Sequence, residues 1–415
     1  MSAHLEGRAP VWILVGIGVA IRLVLAFAFF GDTDVVLLER VESALDQDPL
    51  RVYEIVNPGV GEITFFSYSY PPLYFAAVAI SSAITDVTGL PFHGTVQLWP
   101  ILADVGIALA VHAYLGRRGA SARVRLAGLA LVMLGPCFVA TSGFHGQIDS
   151  VAILPGVLAL IAWEARGRRR AVESGLLIGV GTAVKTVPGV LLLPLLASAR
   201  SLREGAKLLG AAVAVVLLVI TPYLIADPDG VLALRHYQGL AGLGGLSLVT
   251  DPGLVEVWLR DRPGFELRDP TALGEFTAQN AGEITVLAVL AVALLLFRYR
   301  PAPIDAAVLL WLTVYALSPN FLMQYMVWGL PFFIMGGYLR EVAIVQLVLV
   351  PAIMVYYLAP FEDPSLATAV YVPSLIALWA FWVVALVTVI RRVLARPPAR
   401  APAVQPSLVE LEGAA

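Results

Sequence analysis

The sequence predicts an all-α polytopic membrane protein with about twelve transmembrane helices, on three observations. Of its 415 residues, 59% are apolar and 14% are charged. A soluble domain carries roughly a quarter of its residues as Asp, Glu, Lys and Arg. Mean hydropathy is +0.84, more apolar surface than a soluble chain can hide from water. Apolar runs long enough for about 30 Å of hydrocarbon, which takes about 20 helical residues, recur along the chain. Basic clusters separate them. A water-soluble enzyme is therefore excluded. The net charge of −3 argues against a nucleic-acid partner. The single cysteine, Cys137, excludes an internal disulfide and a cysteine-based metal site. Two lysines stand against 25 arginines among the 27 basic residues, a bias that points to a GC-rich prokaryotic genome and so to a prokaryotic plasma membrane.

The long runs are 12–30, 98–115, 124–142, 149–164, 207–225, 283–297, 304–318, 325–338, 342–358 and 368–390. The first contains Ala26-Phe27-Ala28, which fits a signal-cleavage pattern, but it is longer than a signal core and Arg22 interrupts it. It reads as an uncleaved anchor. The segments 71–88 and 174–199 are settled by the tendency of basic residues to stay cytoplasmic. Clusters lie at Arg117–Arg125, Arg166–Arg170, Arg200–Lys207, Arg298–Arg300, Arg340 and Arg391–Arg400. If 71–88 crossed the membrane, the first cluster would fall outside. The segment is therefore expected to lie on, or dip into, the outer leaflet. Basic clusters flank 174–199 on both sides, so it crosses an even number of times. A short hairpin turning at Lys185-Thr186-Val187-Pro188 satisfies this, because proline breaks the helix. Both termini are then cytoplasmic.

This topology leaves two long outer segments, 31–97 and 226–282, and long ordered loops are usually functional. Asp32 and Asp34 follow the first crossing directly, in Gly31-Asp32-Thr33-Asp34. A partly desolvated carboxylate at the membrane surface can act as a general base. Two carboxylates one residue apart could also hold a divalent cation. Acidic residues there could equally do no more than cap a helix. Tyr70-Pro71-Pro72-Leu73 starts a helix, since proline suits a first turn, and tyrosines suit an interface. The short outer turn Phe144-His145-Gly146-Gln147-Ile148-Asp149 gathers His145, Gln147 and Asp149. Lys185 lies on the side that basic residues avoid, where it could bind a phosphate or only snorkel. A third polar turn runs Ser318-Pro319-Asn320-Phe321-Leu322-Met323-Gln324-Tyr325, whose Gln324 and Tyr325 could donate to a ligand or belong to an interfacial belt. Two charges, Arg22 and Asp104, lie inside crossings. A buried unpaired charge costs several kcal/mol, so the two are expected to pair.

These turns, in this order, resemble the glycosyltransferase C superfamily, multi-pass enzymes that take a sugar from a polyprenyl-phosphate carrier. Gly31-Asp32-Thr33-Asp34 matches its catalytic carboxylate after helix 1. Tyr70-Pro71-Pro72-Leu73 with 72–88 matches its membrane-lying helix, and Ile101-Leu102-Ala103-Asp104 an aspartate in helix 2. Phe144–Ser150, Lys185–Pro188 and Ser318–Phe332 resemble later outer turns, and the likeness spans about residues 10–390. The branches most resembled are the first mannosyltransferase of glycosylphosphatidylinositol anchors, the bacterial polyprenyl-phosphate-mannose transferases and the glucosyltransferases of asparagine-linked glycan assembly. The last carry a His-Glu-Lys-like triplet where Met323-Gln324-Tyr325 stands here. That departure favours the mannosyltransferase-like branches and puts a histidine–phosphate contact in doubt.

The resemblance implies a glycosyltransferase of the cell envelope that moves a hexose, mannose favoured. The donor is a polyprenyl-phosphate sugar, and the acceptor is lipid-linked or a glycan. Transfer is extracytoplasmic and inverts the anomeric centre by single displacement. It makes Asp32 the base, with Asp34 second. His145, Gln147, Asp149, Lys185, Gln324, Tyr325 and Tyr70 are candidate donor-phosphate or substrate contacts, with Arg260 or Arg262 from the second long loop. Asp32, Asp34, His145, Lys185 and Gln324 are expected to face one cavity. No cofactor is required, although Asp-x-Asp could hold Mg²⁺ or Mn²⁺. The chain divides into a family-like module, 1–200, a variable membrane module, 201–390, and a cytoplasmic tail, 391–415. A secondary transporter would need an internal repeat and broken midplane helices, and no repeat is visible. A flippase or a membrane scaffold is the remaining alternative.

Overall fold

The computed structural model describes residues 9–31, 33–57, 67–165, 167–237, 242–254, 269, 271–358 and 366–395. Asp32, Arg260, Arg262 and most of the 391–415 tail lie outside these residues. The described chain is helical. Helix α1 (Ala9–Ala28) enters the bundle, and α2 (Thr33–Gln47) and α3 (Val52–Val56) open the first long loop. A 3₁₀ turn, Pro72–Tyr74, leads into α4 (Phe75–Thr88), then α5 (Phe92–Arg117) and α6 (Ala122–Met133) follow. The short α7 (Pro136–Val139) and a π-helical turn, Ala140–His145, precede α8 (Asp149–Glu164) and α9 (Arg170–Val184). A 3₁₀ turn at Val187–Leu191 joins α10 (Leu192–Ala197), and α11 (Leu202–Ala226) begins the second half. The second long loop holds α12 (Pro228–Ala233), a 3₁₀ turn Leu234–His236, α13 (Gly245–Thr250) and α14 (Ala272–Gln279). The bundle closes with α15 (Ala281–Tyr299), α16 (Pro303–Leu317), a 3₁₀ turn Met323–Tyr325, α17 (Met326–Met335), α18 (Leu339–Leu358), a π turn Ala367–Tyr371 and α19 (Val372–Leu394).

Seven helical segments among the described residues are long and apolar enough to cross a membrane: 9–28, 92–117, 122–145, 202–226, 281–299, 339–357 and 369–394. About twelve crossings are expected from the sequence. The others in that set are shorter, with 16 residues in α8, 15 in α9, 15 in α16, ten in α17 and 11 in the segment 187–197 that forms the second leg of the hairpin. All ten residues of α17 are buried. Its neighbours are α8, α5, α16 and α18, so its length is matched to protein rather than to lipid.

Helix α5 begins six residues before the expected 98. Its first turns carry Thr95 and Gln97, which lower hydropathy but are fully buried. Thr95 faces α4, which the turn at Gly89 folds against α5, while Gln97 donates to the His93 carbonyl of its own helix at 3.0 Å and lies against Gly146. Thr95 donates to the Ser81 carbonyl at 3.2 Å, and Trp99 Nε1 donates to Ser81 Oγ at 3.0 Å. The chain breaks at Lys185, whose backbone is extended (φ −152°, ψ 135°). Helix α9 reaches α11 through Gly175 and Gly179, one turn apart on one face. A β-carbon at Gly175 would stand 2.3 Å from the Leu208 carbonyl oxygen, and one at Gly179 2.7 Å from that of Ala212. Small residues at this spacing let helix backbones touch in lipid.

The first long loop has an apolar core of its own, with Leu38, Val41, Tyr53, Tyr68, Phe75, Val78 and Val96 all at most 2% exposed. Asp227 ties it to the second loop: Oδ2 accepts from the Glu54 amide at 3.0 Å, and Oδ1 accepts from the Gly230 amide at 2.9 Å. At the opposite end of the bundle the basic turns meet. Tyr114 donates to Glu164 at 2.9 Å, Arg170 pairs with Glu204 at 2.7 Å, and Trp163 donates to Ser198 at 2.9 Å.

Candidate active site

Helix α2 places Asp34 in its first turn, where a helix N-terminus favours negative charge. The turn that leaves the π segment brings His145 and Gln147 to it. His145 Nε2 hydrogen-bonds Asp34 Oδ2, and an ionised carboxylate only accepts, so the imidazole is the donor. Gln147 Nε2 donates to the same oxygen at 2.9 Å, and Tyr70 donates to Oδ1 at 3.2 Å. Loss of water, then the Asp34 charge, raises the Tyr70 hydroxyl well above its ordinary value. Tyr70 therefore remains a donor throughout the neutral range. The Asp34 side chain keeps 14% exposure, against 2% for His145. Gly146 makes the turn possible: its φ is +76°, and a β-carbon there would stand 2.6 Å from Val35 Cγ2. The π-helical turn just before it is a device often found at functional sites.

A second group adjoins the first. Asp149, the first residue of α8, pairs through Oδ1 with Lys185 Nζ at 2.5 Å and accepts from Trp328 Nε1 at 2.7 Å. Asp149 is fully buried and Lys185 is 7% exposed. The ammonium lies 4.8 Å from the Tyr70 ring centre, 5.5 Å from that of Trp328 and 5.7 Å from that of Tyr325, within cation–π range. Tyr325 and Trp328 stack on each other at 3.9 Å. The arrangement sets one carboxylate with a partly open face beside a buried cation walled by aromatic rings, with Tyr70 touching both.

Of the residues read from the sequence, Asp34, Tyr70, His145, Gln147, Asp149, Lys185 and Tyr325 thus come together. Gln324 is buried in the 3₁₀ turn that carries Tyr325, with no hydrogen-bond partner for its Oε1 among the described residues. Asp32, Arg260 and Arg262 fall outside the described residues. Among the described residues no group of three or more His, Cys, Asp or Glu is placed to hold a metal ion. Three neighbours carried no signal in the sequence that set them apart from other aromatic residues. They are Trp328, Tyr357, whose ring meets His145 at 5.3 Å, and Tyr237, which hydrogen-bonds Tyr325 and is raised above its ordinary value by burial and Asp34.

Arg22 and Asp104 meet beneath the turn, fully buried, with Arg22 Nε 3.0 Å from Asp104 Oδ2. A cavity of about 190 Å³ lined by Leu312, Phe333, Trp382 and Arg392 lies at the basic end. None of the residues of these groups lines it.

A multi-pass helical bundle whose first long loop folds over one end carries this polar cluster between that loop and the helix ends, and the family match places it among membrane glycosyltransferases of the GT-C type. The model of glycosyltransferase family 87 matches residues 68–319, and the chain belongs to that family. The fold is similar to a crystal structure of ArnT from Cupriavidus metallidurans bound to undecaprenyl phosphate. The TM-score is 0.51 at 16% sequence identity, over 91% of this chain and 77% of that one. No curated protein matches the chain.

Proposed function

We propose that the chain transfers a hexose, mannose favoured, from a polyprenyl-phosphate sugar to a lipid-linked or glycan acceptor on the extracytoplasmic face. The observation that carries this reading is a partly exposed Asp34 and a buried, aromatic-walled Lys185 joined through Tyr70, which contacts both, in a glycosyltransferase of family 87. The undecaprenyl phosphate bound to the similarly folded ArnT supports the lipid carrier. Asp34 takes the acceptor hydroxyl proton as the oxygen forms its bond to the anomeric carbon. The bond from that carbon to the phosphate oxygen breaks, and its electron pair leaves with the phosphate. Attack opposite the leaving group inverts the centre. His145, Gln147 and Tyr70 hold the carboxylate in place, and Asp32, two residues earlier in the sequence and the base that the resemblance implies, is the alternative. Lys185, with Gln324 and Tyr325, meets the phosphate charge, since stabilising a departing anion in a water-poor site lowers the barrier. Absence of the His-Glu-Lys-like triplet at Met323–Tyr325 supports mannose over glucose.

The test uses the purified full-length chain with radiolabelled polyprenyl-phosphate mannose and a membrane lipid extract. Label passes to an acceptor with the native chain and not with Asp34→Asn. No transfer from the mannosyl donor, with transfer from another polyprenyl-phosphate sugar, overturns the choice of mannose. Transfer retained by Asp34→Asn but lost in Asp32→Asn assigns the base to Asp32.

A further inference from the structure

Asp104 does more than neutralise Arg22. Its Oδ2 accepts from Ser142 Oγ at 2.6 Å as well as from Arg22 Nε, and its Oδ1 accepts from Ser150 Oγ at 2.5 Å. All four residues are fully buried. Ser142 lies in the π turn and Ser150 is the second residue of α8. Between them runs His145-Gly146-Gln147-Ile148-Asp149. One carboxylate therefore holds both legs of the turn that presents two donors to Asp34 and one partner to Lys185.

The carboxylate is itself immobilised. Arg22 donates to the Gly18 carbonyl at 3.0 Å, the Met133 carbonyl at 2.5 Å and the Val132 carbonyl at 3.0 Å. Pro136 has no amide for the Val132 carbonyl, and the helix ends at Met133 before Gly135 and Pro136. The guanidinium thus closes a broken helix end within the bundle. Buried carbonyls left without a donor are costly. We infer that the Arg22–Asp104–Ser142–Ser150 cluster is the positioning element of the active-site turn, with Asp104 a positioning residue that touches no substrate. The chemical consequence rests on the proposed function, but the mechanical claim does not. Misplacing a catalytic group by about 1 Å can cost on the order of a hundredfold in rate.

The experiment compares the native full-length chain in detergent with Ser142→Ala, Ser150→Ala, the double serine variant and Ser150→Thr. Each alanine removes one oxygen and leaves the ion pair intact. Hydrogen–deuterium exchange is read over 140–150, with 202–226 as a distant reference. Losing the hydrogen bonds of both hydroxyls should speed exchange over 140–150 roughly tenfold or more in the double variant, leave the reference unchanged, and be reversed at its own leg by Ser150→Thr. Exchange over 140–150 equal to native, or loosening of both segments alike, overturns the inference. In parallel, transfer from synthetic polyprenyl-phosphate mannose should lose about tenfold or more in kcat with little change in donor KM. If the native chain transfers nothing from any polyprenyl-phosphate sugar, the functional reading fails while the exchange data still decide the clamp. Faster exchange with native kcat removes the positioning role.

Discussion

Replacing Lys185 by methionine isolates the charge of one group. Methionine keeps much of the length and the contact with Tyr70, Tyr325 and Trp328, and it removes the ammonium 2.5 Å from Asp149 Oδ1. Asp149 has no exposed side-chain surface, and its Oδ2 has no hydrogen-bond partner among the described residues. After substitution only Trp328 Nε1, at 2.7 Å, addresses the carboxylate. Breaking a buried pair from one side costs about 3–5 kcal/mol, because the remaining charge is left uncompensated. The companion change Asp149→Asn removes that charge and keeps an acceptor for the indole, so Lys185→Met with Asp149→Asn should recover most of the loss. Stability would be followed by denaturant unfolding in detergent for native, both singles and the double, and the coupling taken from the cycle. The double should nonetheless stay defective in transfer, since the cation proposed for the leaving phosphate is gone. A Lys185→Met loss below about 1 kcal/mol, as for a solvent-screened surface pair, would refute the reasoning. So would a double variant as unstable as the two singles summed.

Asp34→Asn should lower transfer by about 10²–10⁴-fold, the usual contribution of a general base, while circular dichroism and melting stay close to native. Gly175→Leu should destabilise by about 1–3 kcal/mol through overpacking against the Leu208 backbone, read as a lower unfolding midpoint. Gly210→Leu, on an open face with nothing within 4 Å of the added carbon, serves as its control. Gln346→Leu withdraws the 2.9 Å hydrogen bond to the Leu131 carbonyl at the same broken helix end and should cost about 1–3 kcal/mol, again measured by unfolding. The Tyr70 hydroxyl is raised above 10.0 by burial and Asp34, so the folded state resists its ionisation. Its contribution to stability is complete below about pH 10 and declines above it. Tyr70→Phe should flatten that alkaline decline in a pH series of unfolding midpoints.

Apolar runs gave the long helices because lipid demands continuous hydrophobicity, and Pro188 announced the break beside Lys185. The start of α5 was hidden, since Thr95 and Gln97 read as loop polarity until α4 supplies a partner for Thr95 and the helix's own His93 carbonyl one for Gln97. The break at Gly135-Pro136 was present in the sequence, yet 124–142 reads as one run because its side chains stay apolar across it. The turns bearing Asp34, His145, Lys185 and Tyr325 stand out by polarity at helix ends. Trp328 does not, because what separates it from a belt tryptophan is tertiary: its bond to Asp149, its stack on Tyr325 and its place beside Lys185. Ser142 and Ser150 were equally mute: hydroxyls on membrane helices commonly bond their own backbone, and a shared carboxylate is a tertiary fact.

The way Arg22 closes the end of α6 has a bearing on how the protein is made. Met133, whose carbonyl it holds, follows 111 residues later. At about 5–20 residues per second, ribosomal synthesis separates the two by roughly 6–20 s. During that interval α1 carries a guanidinium whose insertion alone costs about 2.5–3.5 kcal/mol at the bilayer centre. The segment as a whole, Arg22 included, is apolar enough to enter the membrane regardless. The charge is then a tether awaiting its partner helices: α5 brings the counter-ion, α6 the carbonyls, and only the arrival of this third segment completes the set of partners around the guanidinium. Assembly order is thereby written into a single side chain.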